Sequence, residues 1–99
     1  MLTQEVIIAT SRFGLGAIVA TPGALDALER CEETAAEFLH RHGVGDWGDV
    51  DDEDRAENEL SVKEDFRILS AYHLRDGTKI WIITEADRSS TTILLPEEY

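Results

Sequence analysis

Three groups of side chains in this 99-residue chain have the types that could do chemistry, and each can be weighed on its spacing. His40 and His42, with Asp46 and Asp49 close behind, offer the imidazole and carboxylate ligands that a divalent transition metal accepts. Their spacing is poor, because two residues apart on a helix point to different faces and no HExxH or cysteine pair completes the set. Asp49, Asp51 and Glu53 alternate as in a calcium loop, but Asp54 and Leu60 stand where that loop needs its glycine and its final glutamate. No metal site and no cofactor is therefore expected.

His73, Glu85, Asp87 and Arg88 form the second group, and they define an alternative ligand site at the ends of the C-terminal strands. Arg88 with Ser89 and Ser90 could hold a phosphate, and His73 with Ser70, Glu85 and Asp87 could be assembled into an acid–base set. The same Asp-Arg-Ser-Ser run also makes an ordinary turn in which Asp87 and Ser89 bond the local backbone. No GxSxG elbow is present, and Gly14-Leu15-Gly16 lacks both the third glycine of a dinucleotide fingerprint and a P-loop lysine. The sequence thus assigns no catalytic residue.

The third group is electrostatic. From Asp46 to Asp65 ten carboxylates face only Arg55 and Lys63, and this block accounts for most of a formal net charge of −12. Charge of that sign repels nucleic-acid phosphates and attracts basic surfaces, so direct nucleic-acid binding is disfavoured and a basic protein partner is favoured. Asp49, Asp51, Asp52, Glu53, Asp54, Glu57 and Glu59 are the candidate partner-binding acids. Trp47, framed by glycines, either folds into the core or anchors such an interface. A solvated helix face explains the same acids without any partner.

The elements that must position these groups are readable in part. Leu15 to Ala20 and Glu5 to Thr10 are short strand candidates. Thr21-Pro22 reads as the cap and first residue of a helix carrying Leu25 and Leu28, and Thr34 with Glu37 reads as the start of a second helix that stops at Gly43. Asp51 or Asp52 caps a third, whose clear apolar pair is Ala56 and Leu60. From Phe66 the period becomes two, with Phe66, Ile68, Ser70, Tyr72 and Leu74 on one face. Asp76-Gly77 predicts a two-residue hairpin turn with positive φ at both positions, followed by strands Lys79 to Thr84 and Thr91 to Leu95. The expected fold is α+β, a single domain of short helices packed on a small antiparallel sheet that contains a C-terminal three-stranded meander.

At 42% apolar composition a chain of this length holds one modest core, and a homodimer is compatible with it. The lone Cys31, the lack of a basic secretory start and the lack of any run near the roughly 18 apolar residues of a membrane span together predict a cytoplasmic protein with no membrane contact.

The strings GAIVATPGALDAL, HGVGDWGDVDDEDRAENELSVKEDFRILSAYHL and KIWIITEADRSSTTILLPEEY resemble a family of short bacterial proteins carried on plasmids and integrated elements and labelled only as plasmid-related. The resemblance runs from about Phe13 to Tyr99 and excludes the first dozen residues. It implies a mobile-element setting and supplies no activity or catalytic residue. In that setting the expected partner is a nucleic-acid-handling host defence complex, a restriction or CRISPR component, which an acidic DNA-mimicking face would occupy. The competing expectation is a small enzyme or ligand-binding domain acting through His73, Glu85, Asp87 and Arg88.

Overall fold

A computed structural model describes residues 11–99, so the strand candidate at Glu5 to Thr10 lies outside the described residues. The chain runs through β1 (Ala17–Ala20), α1 (Pro22–Arg30), α2 (Ala35–Gly43), α3 (Asp52–Glu64), β2 (Ile68–His73), β3 (Lys79–Thr84), β4 (Ser90–Leu94) and a 3₁₀ turn (Pro96–Glu98). The four strands form one sheet in the order β1-β4-β3-β2, in which the last three make an antiparallel meander. The fold is α+β. β1 departs from the expected antiparallel pattern by lying parallel to β4. Almost the whole chain separates those two strands, so no hairpin constrains their direction.

The helix starts follow from local hydrogen bonding. The Thr21 and Thr34 hydroxyls accept from the N–H groups of Ala24 and Glu37, and the Asp51 carboxylate accepts from Asp54 N–H at 2.7 Å. A distant residue completes the first cap, because the Glu98 carboxylate accepts from the Gly23 N–H and the Thr21 hydroxyl, which ties the C-terminal turn to the N-terminus of α1. α2 closes one residue later than Gly43 suggests: Val44 caps it, and Gly45, at φ +90°, turns the chain so that Asp46 N–H reaches Arg41 C=O.

Register places Ile68, Ser70 and Tyr72 of β2 beside Thr84, Ile82 and Ile80 of β3, then Thr91 and Ile93 of β4, and Ile18 and Ala20 of β1. α1 and α2 cover this face and contribute Ala24, Ala27, Leu28, Phe38 and Leu39 to the core. Phe66, expected on the same face, precedes the strand and is exposed. The other face carries Val19, Leu94, Ile83, Trp81 and Ala71, with Tyr99 packed edge-on against Trp81 at 5.8 Å.

Two connections differ from expectation. In the β2–β3 hairpin only Gly77 has positive φ, so Leu74 to Gly77 forms an ordinary turn closed by Gly77 N–H to Leu74 C=O, with the glycine as the left-handed residue after it. A three-residue loop of this kind matches strand twist with one glycine, whereas the two-residue turn needs two positive φ values. In α3 the pair Ala56 and Leu60 faces solvent; Asn58 and Ser61 are the buried positions. Asn58 Nδ2 donates to Leu69 C=O at 2.8 Å and its Oδ1 accepts from Leu69 N–H, so the side chain imitates a neighbouring strand along the edge of β2. Ala71 on the same edge is paired by Trp47 C=O and Asp49 N–H. This approach requires Gly48, whose φ is +77° and whose missing Cβ would strike Ala71 C=O.

Candidate functional site

The chemistry-bearing residues separate into three places. The strand-end set does not assemble. His73 ends β2 opposite Lys79, whereas Ile68 at the other end of β2 faces Thr84, beside Glu85 and the loop to Ser90. Five residues of strand put about 17 Å between those ends. His73 instead lies 3.3 Å from Asp49 through Nδ1. Arg88 is committed to structure: its guanidinium donates to the carbonyls of Ser61, Phe66 and Glu85, holding the end of α3 against the β3–β4 loop. The Asp87 carboxylate accepts from Ser89 N–H at 2.9 Å, the turn geometry that competes with anion binding there. His73, Glu85, Asp87 and Arg88 therefore do not line one cleft.

The acid–base chemistry the strands do build is elsewhere. His42, weighed from the sequence only as a poorly spaced metal ligand, is 0% exposed and reaches into the sheet from α2. Its Nδ1 lies 2.5 Å from Ser70 Oγ and its Nε2 lies 2.9 Å from Thr84 Oγ1; Thr84 Oγ1 is 2.7 Å from Thr91 Oγ1, which donates to Leu15 C=O. The proton order follows from one end of this chain. Thr91 spends its hydrogen on the carbonyl, so Thr84 donates to Thr91 and accepts from His42. His42 is then the Nε2–H tautomer, and Ser70 donates to Nδ1. Every group is satisfied with the imidazole neutral. Desolvation, with the nearby Arg88 charge second, lowers the His42 pKa to about 3. Phe13 and Trp47 both pack edge-on against the ring, at 5.3 and 5.9 Å, and close it off. A sealed Ser–His pair with no acid on the histidine is core architecture rather than a nucleophile site. His40, one face away, keeps its Nδ1 buried without a hydrogen bond, and no metal-competent cluster of His, Cys, Asp or Glu occurs among the described residues.

The acidic stretch divides in two. Trp47 is 1% exposed, stacks near Phe13 at 6.2 Å, and donates its Nε1–H to Glu59 at 3.1 Å. Of the two expectations for Trp47 the core one holds and its place in the partner-binding set is corrected: the indole turns inward, where an apolar ring gains most. Glu59 is also withdrawn from the partner set. Both its oxygens bind the Arg12 guanidinium, at 2.8 and 3.0 Å, and that bond, with desolvation opposing it and the Trp47 bond adding to it, holds its pKa below the usual carboxylate range. Asp51 is engaged as the cap of α3, and Asp49 beside His73. Asp52, Glu53, Asp54 and Glu57 remain, exposed on the first two turns of α3 and without an ion pair among the described residues. Asp54 and Glu57 border a shallow depression floored by Asn58 and Leu69 and flanked by Arg67.

No family model, no curated protein and no solved structure matches this chain.

Proposed function

We propose that this protein is a non-enzymatic interaction module that docks the first two turns of α3 onto a basic protein surface. One observation carries the reading: Asp52, Glu53, Asp54 and Glu57 stand exposed and without an ion pair among the described residues, while Trp47 is buried and Asp49, Asp51, Glu59, Asp87 and Arg88 are engaged in contacts within the fold. Glu53 and Glu57 are one helical turn apart and repeat charge at roughly 5–6 Å along one row, a pattern that suits a surface built to hold phosphates. The resemblance to plasmid-related proteins, which rests on its sequence strings, narrows the proposed partner to a nucleic-acid-handling defence complex, with a restriction or CRISPR component as its basic subunit. No cofactor enters this reading. The enzyme or ligand-binding alternative gains nothing from the strand-end residues, because His73 lies at one end of β2 and Glu85, Asp87 and Arg88 follow β3 beside the other.

The test replaces Asp52, Glu53, Asp54 and Glu57 with Asn or Gln and leaves the capping Asp51 intact. Native protein immobilised against lysates carrying restriction or CRISPR complexes is expected to retain one complex at low salt and release it as ionic strength passes the range where the Debye length falls below about 8 Å. The neutralised variant is expected to retain none. Equal capture by both proteins would remove α3 from the interaction.

A further inference from the structure

The two edges of the sheet are finished differently. On β2 the Leu69 backbone is paired by Asn58 and the Ala71 backbone by Trp47 and Asp49. On β1, Ala17 N–H donates to Ser89 C=O and Thr21 N–H to Ile93 C=O, so the residues at alternate positions, Ile18 and Ala20, turn their N–H and C=O groups away from β4. Among the described residues nothing pairs with them. The strand is Ala-Ile-Val-Ala, with no charge, proline or bulge to discourage pairing.

We propose that this edge joins a second copy of the same chain, β1 against β1 about a twofold axis, extending two four-stranded sheets into one of eight. The register is set by which groups face out. Ile18 pairs with Ala20 of the copy and Ala20 with Ile18 of the copy, each pair exchanging both backbone bonds, while Val19 meets Val19 of the copy on the axis. In that non-hydrogen-bonded position the two Cα atoms stand about 4.5 Å apart, so the side chains touch. Val19 is 49% exposed on the face away from the helices, where its counterpart would cover it.

Charge permits the same partner. A molecule of net charge −12 repels its copy in most orientations. α3 lies along β2, the edge farthest from β1. In the eight-stranded sheet the two β2 strands are separated by seven strand spacings, about 34 Å, which is several Debye lengths at physiological salt. At this uncharged edge two copies meet with their acidic helices screened from each other. Both helices stay free at the outer ends, so the assembly offers two identical acidic docking faces.

Sedimentation velocity on the full chain, from micromolar to millimolar concentration, is the first test, with circular-dichroism melting of every variant. The native chain is expected to shift from monomer to dimer with concentration. Val19→Lys, which places two ammonium groups on the axis of an exposed site, is expected to remain monomeric with an unchanged melt. The register is read separately in a Cys31→Ser background: Val19→Cys is expected to form a disulfide-linked dimer under mild oxidation, and Ala17→Cys, two residues off the axis, is not. A native chain that stays monomeric at millimolar concentration, a Val19→Lys variant that dimerises as the native chain does, or equal cross-linking at positions 17 and 19 would each overturn the proposal.

Discussion

A second proton on the His42 ring would turn Nδ1 from acceptor to donor, force the Ser70 hydroxyl to reverse, and set a buried charge near Arg88. The unfolded chain takes up that proton near the ordinary histidine value of 6.5, whereas the folded chain resists it to about 3. Between those values the unfolded state binds more protons, so stability falls as pH falls. The contribution is complete above about pH 7, begins to fade below 6.5, and is gone near 3; its size is at most on the order of 5 kcal/mol. Asp46 and Glu59, held below their usual range mainly by hydrogen bonds from Arg41 and Arg12, act with the same sign but only at more acidic pH. Urea midpoints measured from pH 7.5 to 5 are therefore expected to decline in the native protein. A His42→Asn variant is expected to be less stable at neutral pH by about 2–4 kcal/mol, from lost packing against Phe13 and Trp47, yet nearly flat over the same interval. An unchanged slope in the variant would assign the acid sensitivity to other groups. The period of two placed Ser70 on the inward face, but His42 read only as a metal-ligand candidate and nothing marked it as the partner of Ser70 and Thr84. The partners of that ring lie 28 and 42 residues away, and only the sheet register brings them together.

At the level of the elements, the helix starts were legible because a cap is a local bond between residues three apart. The attachment of α3 was not, because it reads as an amphipathic failure: its apolar residues Ala56 and Leu60 face solvent and its contact with the sheet is made by an amide. Asn58 replaces a missing strand neighbour for Leu69, so truncation leaves an N–H and a C=O of a buried edge unpaired. Asn58→Ala is expected to cost about 2–3 kcal/mol, and hydrogen exchange at the Leu69 amide is expected to accelerate far more than at Ile82 in the centre of the sheet. Asn58→Asp is expected to be worse than alanine, since a carboxylate opposes the Leu69 carbonyl. A stability loss spread evenly over the sheet would refute an edge-sealing role. The hairpin shows the converse limit. Asp76-Gly77 marks a turn correctly, but the same dipeptide fits two loop lengths, and Thr78 N–H bonded to the Asp76 carboxylate favours the longer one.

Over the whole molecule, charge and fold pull in opposite directions. The acidic block sits on a helix bound to the sheet by few apolar contacts, and the net charge of −12 makes compaction self-repulsive. Arginine ion pairs among the described residues offset part of this, but those at Arg12–Glu59, Arg30–Asp26, Arg41–Asp46 and Arg67–Glu85 are substantially exposed and each contributes little. Added salt weakens both terms, and the repulsion is the larger because unpaired acids outnumber paired ones on α3. Raising NaCl from low concentration to about one Debye length of 3 Å, near 1 M, is expected to stabilise the native protein by about 1–2 kcal/mol. The variant neutralised at Asp52, Glu53, Asp54 and Glu57 is expected to gain less, because the charges that salt would screen are gone, although it also forfeits some of the favourable interaction of acids with the α3 N-terminus. Urea titrations of both proteins across the salt series separate the two terms. A native protein destabilised by salt would mean that its ion pairs outweigh its self-repulsion. The four acids would then be a tolerated part of the fold's charge balance, whereas a salt-induced gain that the variant lacks identifies them as a strain on folding that the docking surface retains.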